Sequence, residues 1–307
     1  MIDILLAAYN GEKYISEQIE SIINQTYTDW ILYIKDDCST DRTVDIVREY
    51  EKKYSGKIKL VLSEQSSGSA KNNFFSMLKY SKHAYVMTCD QDDIWLPDKI
   101  ELTYNKMKET EKENKEIPIL VHTDLKVVDE NLNIISESLF ALQNMNSNRD
   151  KINNILVQNI VTGCTVMVNR NLLSYIIEIP KNAIMHDWWM ALVASSLGKI
   201  AFVNSSTVLY RQHGKNSVGA KDTESVSYIF KKLRNVYGIK ISLYDTYVQA
   251  EELLTTMGKY LDKSDCFLIN KYVQVHKVNK IKKVVILLKF KFLKNSYIRI
   301  LGQLLFC

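Results

Sequence analysis

Residues 84–93 are Ala-Tyr-Val-Met-Thr-Cys-Asp-Gln-Asp-Asp, an apolar run that ends in three carboxylates within four positions. The apolar part, residues 84–89, predicts a buried β-strand. Carboxylates this close repel one another unless a cation lies among their oxygens, and a hard divalent ion such as Mg²⁺ or Mn²⁺ that also carries phosphates meets that need. The alternative is a solvated turn that caps the helix opened by Pro97. The first interpretation predicts a site for a phosphorylated ligand.

Strands and helices alternate around this stretch. Apolar runs at residues 2–8, 30–35, 58–62 and 84–89 predict four strands. A helical spacing of apolar residues follows each strand, beginning near residues 15, 44, 69 and 97. Four such units in succession predict an α/β fold with a parallel sheet and right-handed crossovers.

The rest of the chain predicts shorter elements and then a helical region. Strands are expected at residues 119–123, 126–128, 165–168, 200–203 and 207–210. Helices are expected near residues 152–158 and 186–197, and the pattern is helical throughout from about Glu224.

The composition is that of a globular protein, with 46% hydrophobic and 24% charged residues in a chain of 307. The five cysteines are widely spaced and form no C-x-x-C pair, which fits a reducing compartment and speaks against structural zinc. Residues 1–6 lack the basic segment that opens a signal peptide, so none is expected. These features predict a cytoplasmic protein.

Residues 266–307 contain nine Lys or Arg and no Asp or Glu, although the whole chain carries a net charge of only +5. Apolar residues are interleaved with these lysines, and the longest uninterrupted run, residues 284–288, is too short to span a bilayer. The pattern predicts an amphipathic segment on the anionic surface of the cytoplasmic membrane. The alternative is a helix that packs its apolar side on the protein. Nucleic acid is not an expected partner, because no recognised binding module accompanies the charge.

Polar residues follow three of the predicted strands. Ligands of parallel sheets bind beyond the carboxyl ends of the strands, so these residues are expected to face one crevice. The ring of Tyr9 could stack on a nucleobase, with Asp36 or Asp37 accepting a hydrogen bond from a pyrimidine ring N–H. Lys71, which begins the third helix, could contact a phosphate. The alternatives are a rim tyrosine, two capping aspartates and a surface lysine.

Two further clusters occur later in the chain. Residues 186–189 are His-Asp-Trp-Trp and open a helix, whose dipole favours an ionised Asp187 that could act as a base. The alternative for Asp187 is an N-cap beside two core tryptophans. Residues 210–216, Tyr-Arg-Gln-His-Gly-Lys-Asn, form a basic loop with donors suited to a diphosphate. Within it, His213 either completes a metal shell or is a loop histidine with an ordinary partner.

Six motifs occur together in one order. They are A-A-Y-N-G at residues 7–11, D-D-C-S-T-D at 36–41, D-Q-D-D-I-W at 90–95, T-G-C-T at 162–165, H-D-W-W at 186–189 and R-Q-H-G-K-N at 211–216. In this order they resemble family 2 glycosyltransferases, in particular the bacterial rhamnosyltransferase-like members that build cell-wall, capsular or O-antigen polysaccharides. The resemblance covers about residues 1–220. One departure is Lys71, where many members carry arginine.

The resemblance implies a GT-A fold over residues 1–220, with a helical region at residues 221–307. It also implies a nucleotide-sugar donor, Mg²⁺ or Mn²⁺ as cofactor, and an inverting single displacement. The implied metal ligands are Asp92 and His213, and the implied base is Asp187. Tyr9 and Asp37 would hold the nucleobase, Asp90 the ribose side, and Arg211 with His213 the departing diphosphate. The whole implied donor-binding set is Ala8, Tyr9, Asn10, Glu12, Asp36, Asp37, Lys71, Asp90, Gln91, Arg211 and His213.

The expected reaction moves L-rhamnose from dTDP-rhamnose to a hydroxyl of a lipid-linked glycan, at the inner face of the plasma membrane. Another hexosyltransferase that uses a UDP-sugar is an alternative. A catalytically silent GT-A domain docked on the membrane as an assembly component is another, and a homo-oligomer stays open.

Several other classes of nucleotide-binding protein are disfavoured. No G-x-G-x-x-G follows the first strand and no G-x-x-x-x-G-K-[ST] occurs, which disfavours dinucleotide oxidoreductases and P-loop proteins. Sugar-1-phosphate nucleotidylyltransferases need a glycine-rich loop with an arginine after the first strand, and residues 7–11 are not such a loop.

Overall fold

A mixed β-sheet organises the described residues, which are 1–176, 180–213 and 235–307 in this computed structural model. Its strands are β1 (Ile2–Ala8), β2 (Trp30–Asp36), β3 (Ile58–Leu62), β4 (Tyr85–Asp90), β5 (Ile94–Trp95), β6 (Ile119–Val128), β7 (Ile134–Ser136), β8 (Met167–Asn169) and β9 (Lys199–Arg211). Their order in the sheet is β3-β2-β1-β4-β8-β6-β9-β5, with β7 paired to β6. The predicted α/β fold is confirmed.

Helices alternate with the strands along the chain, and the elements described after β9 are all helical. They are α1 (Ile15–Ile23), α2 (Thr43–Lys53), α3 (Ala70–Met77), α4 (Lys99–Glu113), α5 (Leu139–Leu142), α6 (Ile152–Ile155), α7 (Arg170–Leu173), α8 (His186–Leu197), α9 (Val236–Met257), α10 (Lys263–Val273), α11 (Lys280–Lys289) and α12 (Tyr297–Phe306). Within the described parts of the chain, every helix is too short or too polar to cross a membrane.

The parallel half of the sheet is β3-β2-β1-β4. Ile4, Leu5 and Leu6 of β1 are fully buried, as expected for a parallel strand covered on both faces. The register pairs Ala8 with Asp36 and Ala7 with Asp90, so that β1, β2 and β4 end side by side. This alignment brings the polar residues after the three strands to one edge of the sheet.

The chain forms two compact units. The sheet unit contains residues 1–139, 162–176 and 201–213, and the helical unit contains residues 140–161, 180–200 and 235–307. An aromatic core holds the helical unit, in which the ring of Tyr272 lies 4.9 Å from that of Tyr247 and 5.0 Å from that of Phe292. The predicted boundary at residue 220 lies outside the described residues and stays a prediction.

Several predicted element bounds are wrong. The runs at 119–123 and 126–128 belong to one strand, because buried Asp124 accepts hydrogen bonds from Leu125 N and Leu139 N and can therefore stay inside β6. The runs at 200–203 and 207–210 likewise form one strand, β9, in which Ser206 Oγ donates to Glu137 O at 2.7 Å. The helix expected near 152–158 is only α6, and the short strands β5 and β7 were missed.

Candidate functional site

The loop after β1 is fixed to the loop after β4 through Gln91. Its Oε1 accepts from Tyr9 N and its Nε2 donates to Tyr9 O, each at 2.9 Å. A Cβ atom on Gly11 would lie 2.2 Å from Gln91 Oε1, so glycine is required for this close approach. The Tyr9 side chain takes no part in these two bonds and is 55% exposed. Its ring is therefore available to stack on a planar ligand.

The loop after β1 is also tied to the loop after β2. Asn10, in the left-handed region at φ 47°, accepts from Thr40 N at 2.8 Å and donates its own N–H to Ser39 Oγ. Glu12 accepts from Arg42 N at 3.0 Å. Asn10 and Glu12 were predicted to bind the donor, and in this structure their side chains join the two loops.

The two aspartates at the end of β2 differ in their hydrogen bonding. The carboxylate of Asp37 accepts from Ser67 N at 2.7 Å and from Ser67 Oγ at 2.9 Å. Asp36 Oδ2 accepts from Ser39 N at 2.9 Å, but its buried Oδ1 has no hydrogen-bond partner among the described residues. Asp37 therefore anchors the segment before α3, whereas Asp36 retains an unused acceptor.

Lys71 lies in the first turn of α3, which follows the segment anchored by Asp37. Ser69 caps this helix by accepting from Asn72 N at 3.2 Å. The cap and the Ser67–Asp37 bonds set where the helix begins, and thereby place Lys71 near the end of β2.

A buried group of titratable side chains lies under the aspartates after β4. Ligand atoms of Asp90, Asp93 and Cys164 all lie within 4.8 Å of one another. Burial raises the pKa of Asp93 well above its usual range, and the negative charges of Asp92 and Asp90 add to the effect. Beside them, burial lowers the pKa of Lys99 to about 8, and its Nζ has no hydrogen-bond partner in the described part of the chain.

Asp92 pairs with His213, the last described residue before the gap at 214. His213 Nε2 lies 2.7 Å from Asp92 Oδ2, and the imidazole stacks on the ring of Tyr14 at 5.2 Å. A carboxylate oxygen and an imidazole nitrogen held this close are ligands that Mn²⁺ and Mg²⁺ accept. A thiol is a ligand for softer metals, so the group of Asp90, Asp93 and Cys164 fits Mn²⁺ or Mg²⁺ less well than the Asp92–His213 pair does.

Arg211 was predicted to contact the donor, and the structure shows its guanidinium buried among protein acceptors. Its Nε donates to Asp92 O at 3.0 Å and its Nη1 to Glu130 O at 2.8 Å. Its Nη2 forms an ion pair with Glu17, and its Cζ lies 4.5 Å from the centroid of the Tyr14 ring. These contacts hold the backbone of Asp92 and support the ring on which His213 stacks.

Asp187 belongs to the helical unit, where it is the second residue of α8. Its Oδ1 accepts from Trp188 N at 2.7 Å, and the indole N–H of Trp188 donates to Ile155 O at the same distance. Trp189 is buried in this unit. The role of Asp187 as a base stays a prediction.

The sequence did not predict that Tyr14, Glu17 and Lys99 belong to the site. Lys99, Thr103 and Met107 are all buried on α4, at the four-residue spacing of one helix face. A lysine at such a position was a signal of a buried charge. No comparable pattern marked Tyr14 or Glu17, because their partner Arg211 lies almost two hundred residues away.

Comparison with solved structures supports the fold. The structure of S. aureus TarS 1-349 in complex with UDP-GlcNAc has a TM-score of 0.59 at 17% sequence identity, covering 94% of this chain and 80% of that one. The mannosyltransferase PcManGT of Pyrobaculum calidifontis, in complex with GDP-Man and Mn²⁺, has a TM-score of 0.52 at 13% identity, covering 94% and 84%.

Sequence comparison identifies the family. The chain is 30% identical over 237 residues to the dTDP-rhamnosyl transferase RfbG of Shigella flexneri, covering 73% of this chain and 76% of that protein. It is 30% identical over 175 residues to the UDP-Glc:alpha-D-GlcNAc-diphosphoundecaprenol beta-1,3-glucosyltransferase WfgD of Escherichia coli, covering 57% and 62%. The model for glycosyl transferase family 2 matches residues 3–168. This chain is therefore a glycosyltransferase that belongs to family 2.

Proposed function

We propose that this enzyme transfers a sugar from a nucleotide-sugar to a hydroxyl of a lipid-linked glycan, with inversion at the anomeric carbon, in the synthesis of a cell-surface polysaccharide. One observation carries this proposal. The aligned ends of β1, β2 and β4 bring the exposed ring of Tyr9, the carboxylates of Asp36 and Asp37 and the Asp92–His213 pair to one edge of the sheet.

The nucleobase is assigned to Tyr9 and the end of β2. The exposed ring offers a stacking face, and a pyrimidine N–H needs an acceptor once it leaves water. Asp37 accepts from Ser67 and Asp36 Oδ1 is buried, so either aspartate would supply that acceptor only after the loop around it moves. Lys71 is assigned to the phosphates and Asp90 to the ribose side. Asn10, Glu12 and Gln91 support the binding loops, and the backbone of Ala8 holds Asp37 N at 2.9 Å.

The metal is assigned to Asp92 and His213. Mg²⁺ or Mn²⁺ bound there would offset the negative charge of the leaving nucleoside diphosphate. Arg211 holds the backbone of Asp92 and so positions one of the two ligands.

The base is assigned to Asp187. A carboxylate in the first turn of α8 is stabilised in its ionised form by the helix dipole. It would take the proton of the acceptor hydroxyl as that oxygen attacks the anomeric carbon. A single displacement inverts the configuration, so a β-linked dTDP-L-rhamnose would give an α-linkage.

L-Rhamnose from dTDP-rhamnose is the first candidate for the transferred sugar, because RfbG, which matches over most of both chains, is a dTDP-rhamnosyl transferase. A UDP-hexose is the second candidate, favoured by the UDP-Glc named for WfgD and by the UDP-GlcNAc bound to TarS. The name of WfgD also includes a diphosphoundecaprenol acceptor, which supports a lipid-linked glycan as the acceptor of this enzyme. Such an acceptor would place the enzyme at the inner face of the plasma membrane.

The test is release of nucleoside diphosphate from dTDP-rhamnose, UDP-glucose, UDP-galactose and UDP-GlcNAc, with Mg²⁺ or Mn²⁺ and with excess chelator. We expect one donor to be cleaved with metal only, and Asp92→Ala to remove most of that activity. Asp98→Ala is the matched control, because Asp98 is an exposed carboxylate six residues further on. Full turnover in excess chelator would contradict the metal assignment, and cleavage of none of the four donors would contradict both donor candidates.

A further inference from the structure

The last two described helices present apolar side chains to solvent. Ile281, Val285 and Leu288 of α11 are 78%, 55% and 50% exposed. They occupy positions i, i+4 and i+7, so they lie on one face of the helix. The neighbouring Leu287 is fully buried and marks the side that packs on the protein. Helix α11 therefore has one apolar side in the core and another apolar stripe in water.

Helix α12 has a second exposed stripe. Leu301 and Leu305 are 60% and 57% exposed, and Tyr297 and Ile298 share the same side of the helix. The buried residue on the opposite side is Gln303, whose Nε2 donates to Phe292 O at 2.8 Å. This helix thus buries a glutamine while it exposes two leucines to water.

Lys280 joins the two helices. Its Nζ donates to Leu304 O and Leu305 O, each at 2.7 Å, and so caps the carbonyl end of α12. The first turn of α11 consequently lies against the last turn of α12. The two exposed stripes lie on adjacent helices.

The charged side chains of these two helices have a single sign. Residues 266–307 contain no Asp or Glu, and Lys280, Lys282 and Lys289 of α11 are exposed. A second copy of this chain on the same face would bring the basic residues of both copies together, which opposes association. An anionic bilayer supplies the opposite charge and also accepts aliphatic side chains beneath its headgroups.

We propose that the exposed face of α11 and α12 is a docking surface for the interface of an anionic lipid bilayer. Ile281, Val285, Leu288, Leu301 and Leu305 enter the headgroup region, and the flanking lysines contact anionic headgroups. This docking is independent of which donor the enzyme uses, because vesicle binding is measured without turnover. A failed donor assignment and a failed docking assignment are therefore distinguishable.

The experiment is co-sedimentation of the full chain with vesicles of phosphatidylglycerol and phosphatidylcholine, and with vesicles of phosphatidylcholine alone. Deletion of the segment would remove buried Leu287 and Phe292 and uncover Tyr272, on which Phe292 packs, so point substitutions are used. We expect the wild type to bind anionic vesicles, and Val285→Ser/Leu288→Ser/Leu301→Ser/Leu305→Ser to weaken binding at least about tenfold through lost apolar burial. Lys282→Gln/Lys289→Gln should weaken anionic binding about fivefold per lysine and should leave neutral vesicles unaffected.

The matched control is Ile134→Ser/Ile135→Ser, which makes the same chemical change at two exposed isoleucines of β7 in the sheet unit. Unchanged binding of this control, with unchanged circular dichroism of every variant, would support the proposal. Absence of wild-type binding to anionic vesicles would overturn it, as would equal loss in the control. Sedimentation velocity tests the remaining occupant, a second copy of this chain. If the wild type is a dimer, the four-serine variant is a monomer and neither binds vesicles, the face is an interface between two copies instead.

Discussion

The sheet unit and the α11–α12 pair depart from the usual distribution of residues in opposite ways. At the edge of the sheet, ionisable side chains such as those of Asp93, Lys99 and Arg211 are buried. On α11 and α12, aliphatic residues such as Ile281 and Leu301 are exposed. Each arrangement has a free-energy cost in an isolated protein. Buried ionisable groups lose their hydration, and exposed apolar side chains stay in unfavourable contact with water. Each is therefore a place where a ligand or a surface is expected to compensate.

The two regions differ in how much of this free-energy cost is offset by contacts within the protein itself. The guanidinium of Arg211 has acceptors in Asp92, Glu130 and Glu17, so that most of its lost hydration is replaced within the fold. The stripes on α11 and α12 stay in contact with water. The first region is preorganised before any ligand arrives, whereas the second would gain its compensation only from the proposed docking.

The largest expected effect on stability is that of Arg211→Met. The change leaves Asp92 O and Glu130 O without their donor and Glu17 without its partner, so we expect a loss of about 3–5 kcal/mol in the free energy of unfolding. The contrasting variant is Leu301→Lys, which adds a charge where side chains already face water and should change stability by less than about 0.5 kcal/mol. Urea unfolding of both variants makes the measurement, and equal losses would remove the contrast between the two regions.

The next effect concerns turnover. Asp187→Asn keeps the size of the side chain and the hydrogen bond to Trp188 N but removes the basic group, so turnover should fall by roughly 10²-fold or more. Donor affinity, measured by calorimetry, should stay within about a factor of two of wild type if the donor is held by the sheet unit alone. A variant that binds donor weakly yet turns over at the wild-type rate would show that Asp187 is not the base.

A third effect compares one buried histidine from each unit. Burial lowers the pKa of His122 and of His186 to about 3. Between pH 6.5 and 3 the unfolded chain binds a proton at each site that the native state does not, so stability falls as the pH falls through this window. His122→Leu or His186→Leu should each reduce this dependence by up to about 1.4 kcal/mol per pH unit.

The readout for the histidines is the free energy of unfolding from pH 6.5 downward, followed separately for each variant. Equal flattening of the pH dependence would indicate that the two units unfold together. Flattening by only one variant would indicate that the two units unfold separately. If neither variant changes the slope, the pKa values of these two histidines are not depressed.

The smallest effects come from two glycines. Gly302→Ala in α12 has open space around the added methyl group and should stabilise the protein by about 0.5–1 kcal/mol through helix propensity. Gly11→Ala should displace Gln91 and break its two bonds to Tyr9, and so destabilise by about 1–2 kcal/mol. Thermal unfolding of the pair makes the measurement, and a shift in the same direction for both would be evidence against the Gln91 contact.

The parallel half of the sheet was predictable because its strands are continuous apolar runs and each is followed by a helical pattern. The convergence of residues 9, 36 and 90 at one edge followed from that topology alone. The sequence could not show whether each polar side chain faces a ligand or forms hydrogen bonds within the protein. An aspartate after a strand has the same local sequence whether it faces a ligand or, like Asp37, accepts from Ser67 of its own chain.

The helical unit was less predictable for a related reason. An amphipathic pattern in residues 280–289 indicates that apolar side chains line a helix, but not how many of them the protein covers. Leu287 is buried and Leu288 is half exposed, although they are neighbours in one apolar run. The difference depends on which side of the helix the rest of the unit covers, and the apolar pattern alone does not give that side.

Gln91 binds the backbone of Tyr9 and makes no use of its side chain. The Gln91 bonds that hold the loop are consequently independent of which side chain stands at position 9, whereas the proposed stacking face for a nucleobase is that side chain itself. If the proposed nucleobase assignment holds, nucleotide preference could change at position 9, in evolution or by saturation mutagenesis, without rebuilding the rest of the binding edge. Gln91 and Gly11 would be expected to change far less readily.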